Sequence, residues 1–425
     1  MEFAAGKVLA ASAACLVLLI AFWAAERIVL ARRRRGVPLR ICVTGTRGKS
    51  TVVRLLASIL RAAGYKVLAK TTGSKPVLIL PDGAEREIAR PGRPSILEQK
   101  RVLALAARRG ADAIVAEMMS IRGENLRAES AAIFRPGILA VTNVRLDHLD
   151  DMGRTKNEIA ATLAAAMPAA GTTFVLEEES YPAFAEAARK RPGALVKVPR
   201  AGGAMGDGGG IEPGQTEGGA FPENIRLAAA IAGSLGIAPD IVAAGIKAAS
   251  PDFGALKVWK IQAAPPAPAS ARAGGPAIFA ASAFAANEPE SSALVLDALR
   301  RRHPGLPPKT LALLNLRADR GDRTEQWLEA LRDGFFASFE RLVFMGDHAR
   351  ALGRRNWASR GGRGRRARAE FPHPSISAVA DRDPARITAA LCELVAGDAL
   401  IVGLGNIGGA GAALVDHWAR TGEAL

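Results

Sequence analysis

Cysteine is scarce in this 425-residue chain: Cys15, Cys42 and Cys392 are all there are, and they lie far apart. That excludes a disulfide scaffold, a CxxC redox pair and a cysteine-based zinc site. The five histidines are scattered and form no HExxH or similar cluster. Aromatics make up 5% of residues, too few for a stacking surface for RNA or single-stranded DNA to be the first expectation. Acid is short relative to base. The 41 Asp+Glu against 57 Lys+Arg leave a formal net charge of +16, an excess that must be located before it can be read. Apolar residues, by contrast, are plentiful: 49% of the chain, with 23% charged, permits large cores and argues against global disorder. The length fits two domains of α/β size.

One part of the basic excess sits beside a long apolar run. Val8 to Ala25 is an 18-residue stretch broken only by Ser12, or roughly 27 Å of helix at ~1.5 Å per residue. Ile28-Val29-Leu30-Ala31 extends it past Glu26 and Arg27, and the consecutive Arg32 to Arg35 close it, whereas only Lys7 lies upstream. A cleaved signal peptide carries its positive charge before the apolar run, not after it. A buried core helix would need a domain around residue 8. The expectation is a single-pass membrane anchor over residues 1–35, amino terminus outside and the bulk of the chain cytoplasmic.

Arg40-Ile41-Cys42-Val43-Thr44 reads as a buried strand followed at once by Gly45-Thr46-Arg47-Gly48-Lys49-Ser50-Thr51. A helix with Val52, Leu55, Leu56, Ile59 and Leu60 on one face comes next. Small residues let backbone N–H groups approach phosphate oxygens, and a helix amino terminus favours negative charge. In such a loop Lys49 reaches β/γ-phosphate, and the Ser50 or Thr51 hydroxyl ligates Mg²⁺. The TGTxGKS/T form is shorter than the general phosphate loop and more restrictive. Two more apolar strands deliver polar groups at their carboxyl ends, where ligands bind in open α/β sheets. Ala113 to Ala116 ends on Glu117, placed to hold Mg²⁺. Gly137 to Val141 leads into Thr142-Asn143-Val144-Arg145-Leu146-Asp147-His148-Leu149-Asp150, where the two aspartates can orient His148 as a ligand.

With these residues the chain resembles the Mur-ligase superfamily of ATP-dependent amide-forming enzymes: TGTRGKST at 44–51, Glu117 in Glu-Met-Met-Ser, and TNVRLDHLD at 142–150. Weaker echoes are Glu223-Asn224-Ile225-Arg226-Leu227-Ala228, Phe284 to Ser291 around Asn287, and Leu316 to Arg323 around Asp319. Only Gly36 to Leu39 separate the arginines from the first strand, leaving nothing to hold a UDP-sugar. The anchor joined to TGTRGKST, with EMMSIRGEN and DHLDDMG downstream, looks most like poly-γ-glutamate synthase ligase subunits (the PgsB/CapB type). The resemblance implies an ATP- and Mg²⁺-dependent ligase that activates a terminal glutamate carboxylate as an acyl phosphate and adds glutamate to poly-γ-glutamate. It also implies a multi-pass membrane partner subunit, and a homo-oligomer is expected. Gly45, Thr46, Arg47, Gly48, Lys49, Ser50 and Thr51, with Asn143, would bind nucleotide, Asn224 would face adenine, and Ser50, Glu117 and His148 would hold metal. Lys49, His148, Asn287 and Arg320 would be catalytic, and Asp319 and Arg323 would join the nucleotide-binding set. One departure stands out: the position of the family's carbamylated lysine is Leu163, so Lys156 substitutes, or Glu158 does, or a second metal is held differently. Rival readings are a folylpolyglutamate-type ligase and a phosphate-loop ATPase that moves a partner.

The expected fold is α/β: a parallel-sheet ATPase domain at 36–250 and a Rossmann-like domain at 251–425. Arg200 to Gly219, with nine glycines in twenty residues, is a loop of the first domain. In the second, Leu256–Ile261, Ala277–Phe284, Thr310–Leu316, Arg341–Met345 and Ala399–Val402 read as strands of a second parallel sheet, with a Pro/Ala-rich loop at 262–276. Gly403 to Gly408 spells GxGxxG, but no strand with an acidic residue follows at dinucleotide spacing. Close helix–strand packing is the preferred reading, with anion binding at the helix start left open. Arg350 to Arg368 holds eight arginines and no acid in nineteen residues. It is either a solvated insertion or an attractor of polyanions: the polymer, anionic lipid or, last, nucleic acid without sequence preference.

Overall fold

The computed structural model describes residues 2–73, 75–90, 92, 94–200, 220–262, 276–354 and 374–425. The glycine-rich stretch at 201–219 and most of the 262–276 loop and of the arginine stretch lie outside the described residues. Two compact units divide the chain. The first takes Met1–Arg145 and Asp150–Ser250, the second Leu146–Leu149 and Pro251–Leu425.

In the first unit the strands are β1 (Leu39–Thr44), β2 (Val67–Thr71), β3 (Val77–Ile79), β4 (Glu85–Glu87), β5 (Ala113–Glu117), β6 (Ile138–Val141), β7 (Thr172–Leu176) and β8 (Ala194–Val198). They form one sheet in the order β4-β3-β2-β5-β1-β6-β7-β8. From β2 to β8 all pairing is parallel, while β3 and β4 add an antiparallel edge. Strands buried on both faces must be apolar throughout, and Ile41, Cys42, Val43, Ile114, Val115, Leu139 and Ala140 are fully buried. Burial pushes the Cys42 thiol well above its ordinary range, so it is an inert core group. The helix Lys49–Ala62 buries the face that includes Val52, Leu55, Leu56, Ile59 and Leu60 against this sheet. Because β1 lies between β5 and β6, three adjacent carboxyl ends bring the glycine loop, Glu117 and Asn143 to one edge.

The amino-terminal helix runs unbroken over Glu2–Arg35. Its portion Ala10–Arg35 is long and apolar enough to cross a membrane, by length and composition. Leu16 to Ile20, Phe22 and Trp23 are more than half exposed, as is Ile28. Past Glu26 the helix rests on the first unit, a difference from the reading of 28–31 as further span and Arg32 to Arg35 as a free basic stop. Leu30 and Arg34 are buried. Arg34 donates to the carbonyls of Ala132 and Ile133 at 2.8 and 3.1 Å, capping the wide-turn helix Ala128–Phe134. Burying an arginine head requires acceptors of this kind.

In the second unit the strands are β9 (Lys257–Ile261), β10 (Ile278–Ser282), β11 (Thr310–Leu316), β12 (Arg341–Gly346), β13 (Ser375–Ala378), β14 (Ala399–Gly405) and β15 (Glu423–Ala424). The order is β13-β12-β11-β14-β10-β9-β15. Five strands are parallel. The expectation of a wholly parallel sheet is corrected at β9, which pairs antiparallel with both β10 and β15. Trp418 anchors the core beside Phe284 and Trp259, its Nε1 donating to Thr388 Oγ1 at 3.0 Å. At the GxGxxG turn, Gly403 abuts the Phe284 ring and Gly408 the Arg317 guanidinium, which accords with the close-packing reading.

Candidate functional site

The glycine loop is held by the turn that follows β6. Thr46 N donates to Asn143 O at 3.1 Å, while Thr46 Oγ1 and Arg47 N both donate to Asn143 Oδ1, at 2.8 and 2.9 Å. Thr142 Oγ1 donates to Arg47 O at 2.6 Å, and Arg145 N to Thr46 Oγ1 at 2.8 Å. Asn143, expected to bind nucleotide, therefore spends its side-chain oxygen bracing the loop. Two glycines make this closeness possible. Gly45 has φ +125, and a Cβ there would lie 2.1 Å from Thr142 Oγ1. Gly48 has φ +75, and its Cβ would lie 2.6 Å from Asn224 Oδ1. Only glycine occupies such φ values without strain.

Lys49 opens the helix after Gly48, and its Nζ donates to Gly45 O and Thr46 O at 2.7 and 3.2 Å, so the ammonium lies over the loop. Ser50 Oγ donates to Glu117 Oε2 at 2.7 Å, and Thr72 N to the same oxygen at 2.8 Å. Glu117 Oε1 takes no hydrogen bond among the described residues. Asn224, in the helix Pro222–Ser234, is buried against Gly48 with its Oδ1 unpartnered among the described residues. A buried acceptor without a donor is costly unless a ligand supplies one.

A polar network absent from the sequence reading fixes Glu117 from behind. Gln99 Nε2 donates to Glu117 O at 3.0 Å and to Glu129 Oε2 at 2.7 Å, and Lys70 Nζ donates to Gln99 Oε1 at 2.9 Å. Glu129 also accepts from Met119 N, Ser120 N and the Ser120 hydroxyl. Lys70, fully buried in β2, pairs with Glu98 at 2.7 Å. Burial pushes the Lys70 ammonium below its usual range. For Glu98 burial acts upward, but the pairs with Arg90 and Lys70 outweigh it and hold the carboxyl down to about 2. These residues lie on separate strands and helices, and only a lysine inside an apolar strand signalled them.

Among the described residues no three His, Cys, Asp or Glu side chains are grouped to hold a metal ion. The loop offers one hydroxyl and one carboxylate. That set suits Mg²⁺, which keeps most of its waters and takes few protein ligands beside phosphate oxygens.

The second unit gathers the remaining expected residues along its own carboxyl edge. Arg323 is buried in the helix Gly321–Arg332 and donates to Asp147 Oδ1 from Nε and Nη2 at 3.1 and 3.0 Å, and from Nη1 to Asn406 Oδ1 at 2.8 Å. Leu146–Leu149 thus belongs to this unit by a buried, forked ion pair. His148, at φ +50, sets Nδ1 3.3 Å from Arg320 Nη1 and Nε2 3.6 Å from Asp147 Oδ2. Asp147 lies beside the ring and accepts from the His148 backbone N at 3.1 Å, whereas Asp150 is exposed on the helix Leu149–Met152. Asn287 sits at φ +61, its carbonyl accepting from Trp327 Nε1 at 2.8 Å. Asp319 is exposed; burial acts weakly upward on it and the Arg317 guanidinium at 2.7 Å holds it down. Leu163 is buried, and Glu158 does not replace a carbamylated lysine: its carboxylate caps its own helix, accepting from Arg154 N at 2.6 Å.

Comparison with known proteins follows this division. Residues 43–217 match the Mur ligase middle domain, and residues 269–421 match the poly-gamma-glutamate synthase CapB C-terminal domain. The capsule biosynthesis protein CapB of Bacillus anthracis is 30% identical over 319 residues, 74% of this chain, which spans 64% of that protein. The PGA synthase CapB of Bacillus subtilis (strain 168) is 31% identical over 330 residues, 75% of this chain and 78% of that protein. Among solved structures, a bifunctional folylpolyglutamate synthase/dihydrofolate synthase from Yersinia pestis, complexed with AMPPNP and Mn ion, shares the fold. Its TM-score is 0.59 at 14% identity, over 92% of this chain and 93% of that one.

Proposed function

We propose that this chain, which belongs to the CapB family of poly-gamma-glutamate synthases, is an ATP-dependent ligase that lengthens poly-γ-glutamate. The observation that carries the reading is the pairing of Ser50 Oγ with Glu117 Oε2 beside a glycine loop braced by Thr142 and Asn143. Such a loop binds a nucleoside triphosphate by its backbone N–H groups and by the Lys49 ammonium. Asn224 Oδ1 offers an acceptor for a base or ribose donor, a role that supports rather than departs from the adenine-side assignment.

The chemistry is acyl activation. A terminal carboxylate oxygen of the chain bonds to the γ-phosphorus and the bond to the β-phosphate oxygen breaks, leaving ADP. The amine of an incoming glutamate then attacks the acyl carbon, phosphate leaves, and the amine gives up a proton. Phosphoryl transfer of this kind needs positioning and charge neutralisation more than covalent help. Lys49 supplies neutralising charge, and the braced loop fixes the donor. Ser50 and Glu117 would hold Mg²⁺, which adds positive charge at the phosphates when bound. His148, Asn287 and Arg320 are assigned to the glutamyl substrate, with Asp147 and Arg323 holding their turn. By resemblance His148 would help hold a second metal, and its Nδ1 lies 3.3 Å from Arg320 Nη1.

Residues up to Ala25 serve as a single-pass anchor with both units cytoplasmic, and a multi-pass membrane subunit is the expected partner. The test is phosphate release by membranes containing the protein, supplied with ATP and with or without glutamate. Glutamate-stimulated release supports the ligase. Turnover indifferent to glutamate, even beside the membrane partner, would instead support an ATPase that drives movement.

A further inference from the structure

We infer that the nucleotide-binding edge of the first unit faces the bilayer, because the amino-terminal helix leaves the unit on that side. The inference rests on the anchor reading and concerns how the anchor is mounted. The helix Leu97–Arg108 leads into β5 and therefore runs opposite to it, its first turn level with the carboxyl end of β5. Gln99 fixes that level by donating to Glu117 O. The amino-terminal helix lies alongside the helix Leu97–Arg108 and parallel to it. Glu26 pairs with Lys100 near the first turn, and ten residues later the Cβ position of Gly36 meets Ala107 Cβ at 3.5 Å near the last. Between these points Leu30 is buried and Arg34 is tied to Ala132 and Ile133, so the stalk is fastened along its length. Residues before Glu26 therefore project beyond the carboxyl edge, the edge that carries the glycine loop and Glu117.

Two further features mark where water gives way to lipid. Arg27 stacks over the Trp23 ring at 4.2 Å, a pairing suited to the headgroup layer. Leu97 is 55% exposed, an apolar residue at the end of its helix that points toward the span. The helix has no break between Trp23 and Glu26, so the bilayer surface begins within a turn or two of the level of Glu117. A polymer chain would then be lengthened against the membrane surface, the side from which a membrane-embedded partner receives it.

The test uses the full chain with Cys15→Ala, since Cys42 and Cys392 are buried. Leu97→Cys and Arg109→Cys, both at exposed positions and ~18 Å apart along one helix, each receive a small fluorophore. The labelled proteins are reconstituted into vesicles whose lipids carry a headgroup-attached nitroxide quencher, and flotation is measured alongside. The expected result is flotation with loss of most emission at position 97 and of almost none at 109. Flotation with equal or greater loss at 109, or with no loss at 97, overturns the orientation while leaving the anchor standing. Failure to float overturns the anchor and the inference together.

Discussion

At the scale of single residues the nucleotide site depends on side chains that hold the loop as much as on those that would touch the ligand. Lys49→Ala is expected to abolish ATP turnover while membrane partitioning is unchanged, checked by phosphate release and flotation of the same preparation. Gly45→Ala is expected to lose nucleotide binding as well as turnover. An added Cβ has no room beside Thr142 Oγ1 and the φ of +125 is hostile to alanine; equilibrium binding of an ATP analogue reads the loss. The glycines, the lysine and Glu117 were legible in the sequence because each sits at the end of an apolar run whose strand places it. The bracing role of Asn143 was not legible. A side chain that contacts the loop and one that contacts the ligand look alike until the distance to Arg47 N is known. Asp147 and Arg323 are separated by 176 positions, and no local pattern announces a buried pair at that range.

At the scale of elements, strands flanked by polar turns were easy to place: β1, β5, β6 and β11 follow from buried apolar runs of ordinary length. β3, β4 and β15 have only two or three residues, and β9 pairs antiparallel where alternation of strand and helix suggested a parallel neighbour. Elements this short carry too few side chains to show a period. The buried ion pair of Arg323 holds the 146–149 segment on the second unit. Arg323→Ala removes the buried guanidinium that pairs with Asp147, with an expected loss of about 3–5 kcal/mol in the unfolding of that unit by denaturant. In the first unit, Glu98 ties the helix Leu97–Arg108 to β2 through Lys70. Its folded carboxyl titrates at about 2, below the unfolded value of about 4.3. The stabilisation is therefore present above about pH 4.3 and is lost as the pH falls toward about 2. Glu98→Gln is expected to show a shallower acid-induced fall in denaturation midpoint across that window than the unaltered chain.

At the scale of the whole molecule, the basic excess divides between a stalk and an arginine stretch that lies mostly outside the described residues. Arg34 is not spare charge at all, being buried on backbone carbonyls of the first unit. Removing residues 2–25 while keeping Glu26 onward is expected to free the protein from membranes and leave the first unit's ATP binding intact, because its packing begins at Glu26 and Leu30. The proposed ligase reaction joins glutamate through an acyl phosphate formed from ATP. The most direct measurement supplies ATP, glutamate and a γ-glutamyl acceptor whose terminal carboxylate carries oxygen-18, and then analyses the inorganic phosphate by mass spectrometry. One oxygen-18 is expected in phosphate for each amide bond formed. Amide formation with unlabelled phosphate would contradict that reaction.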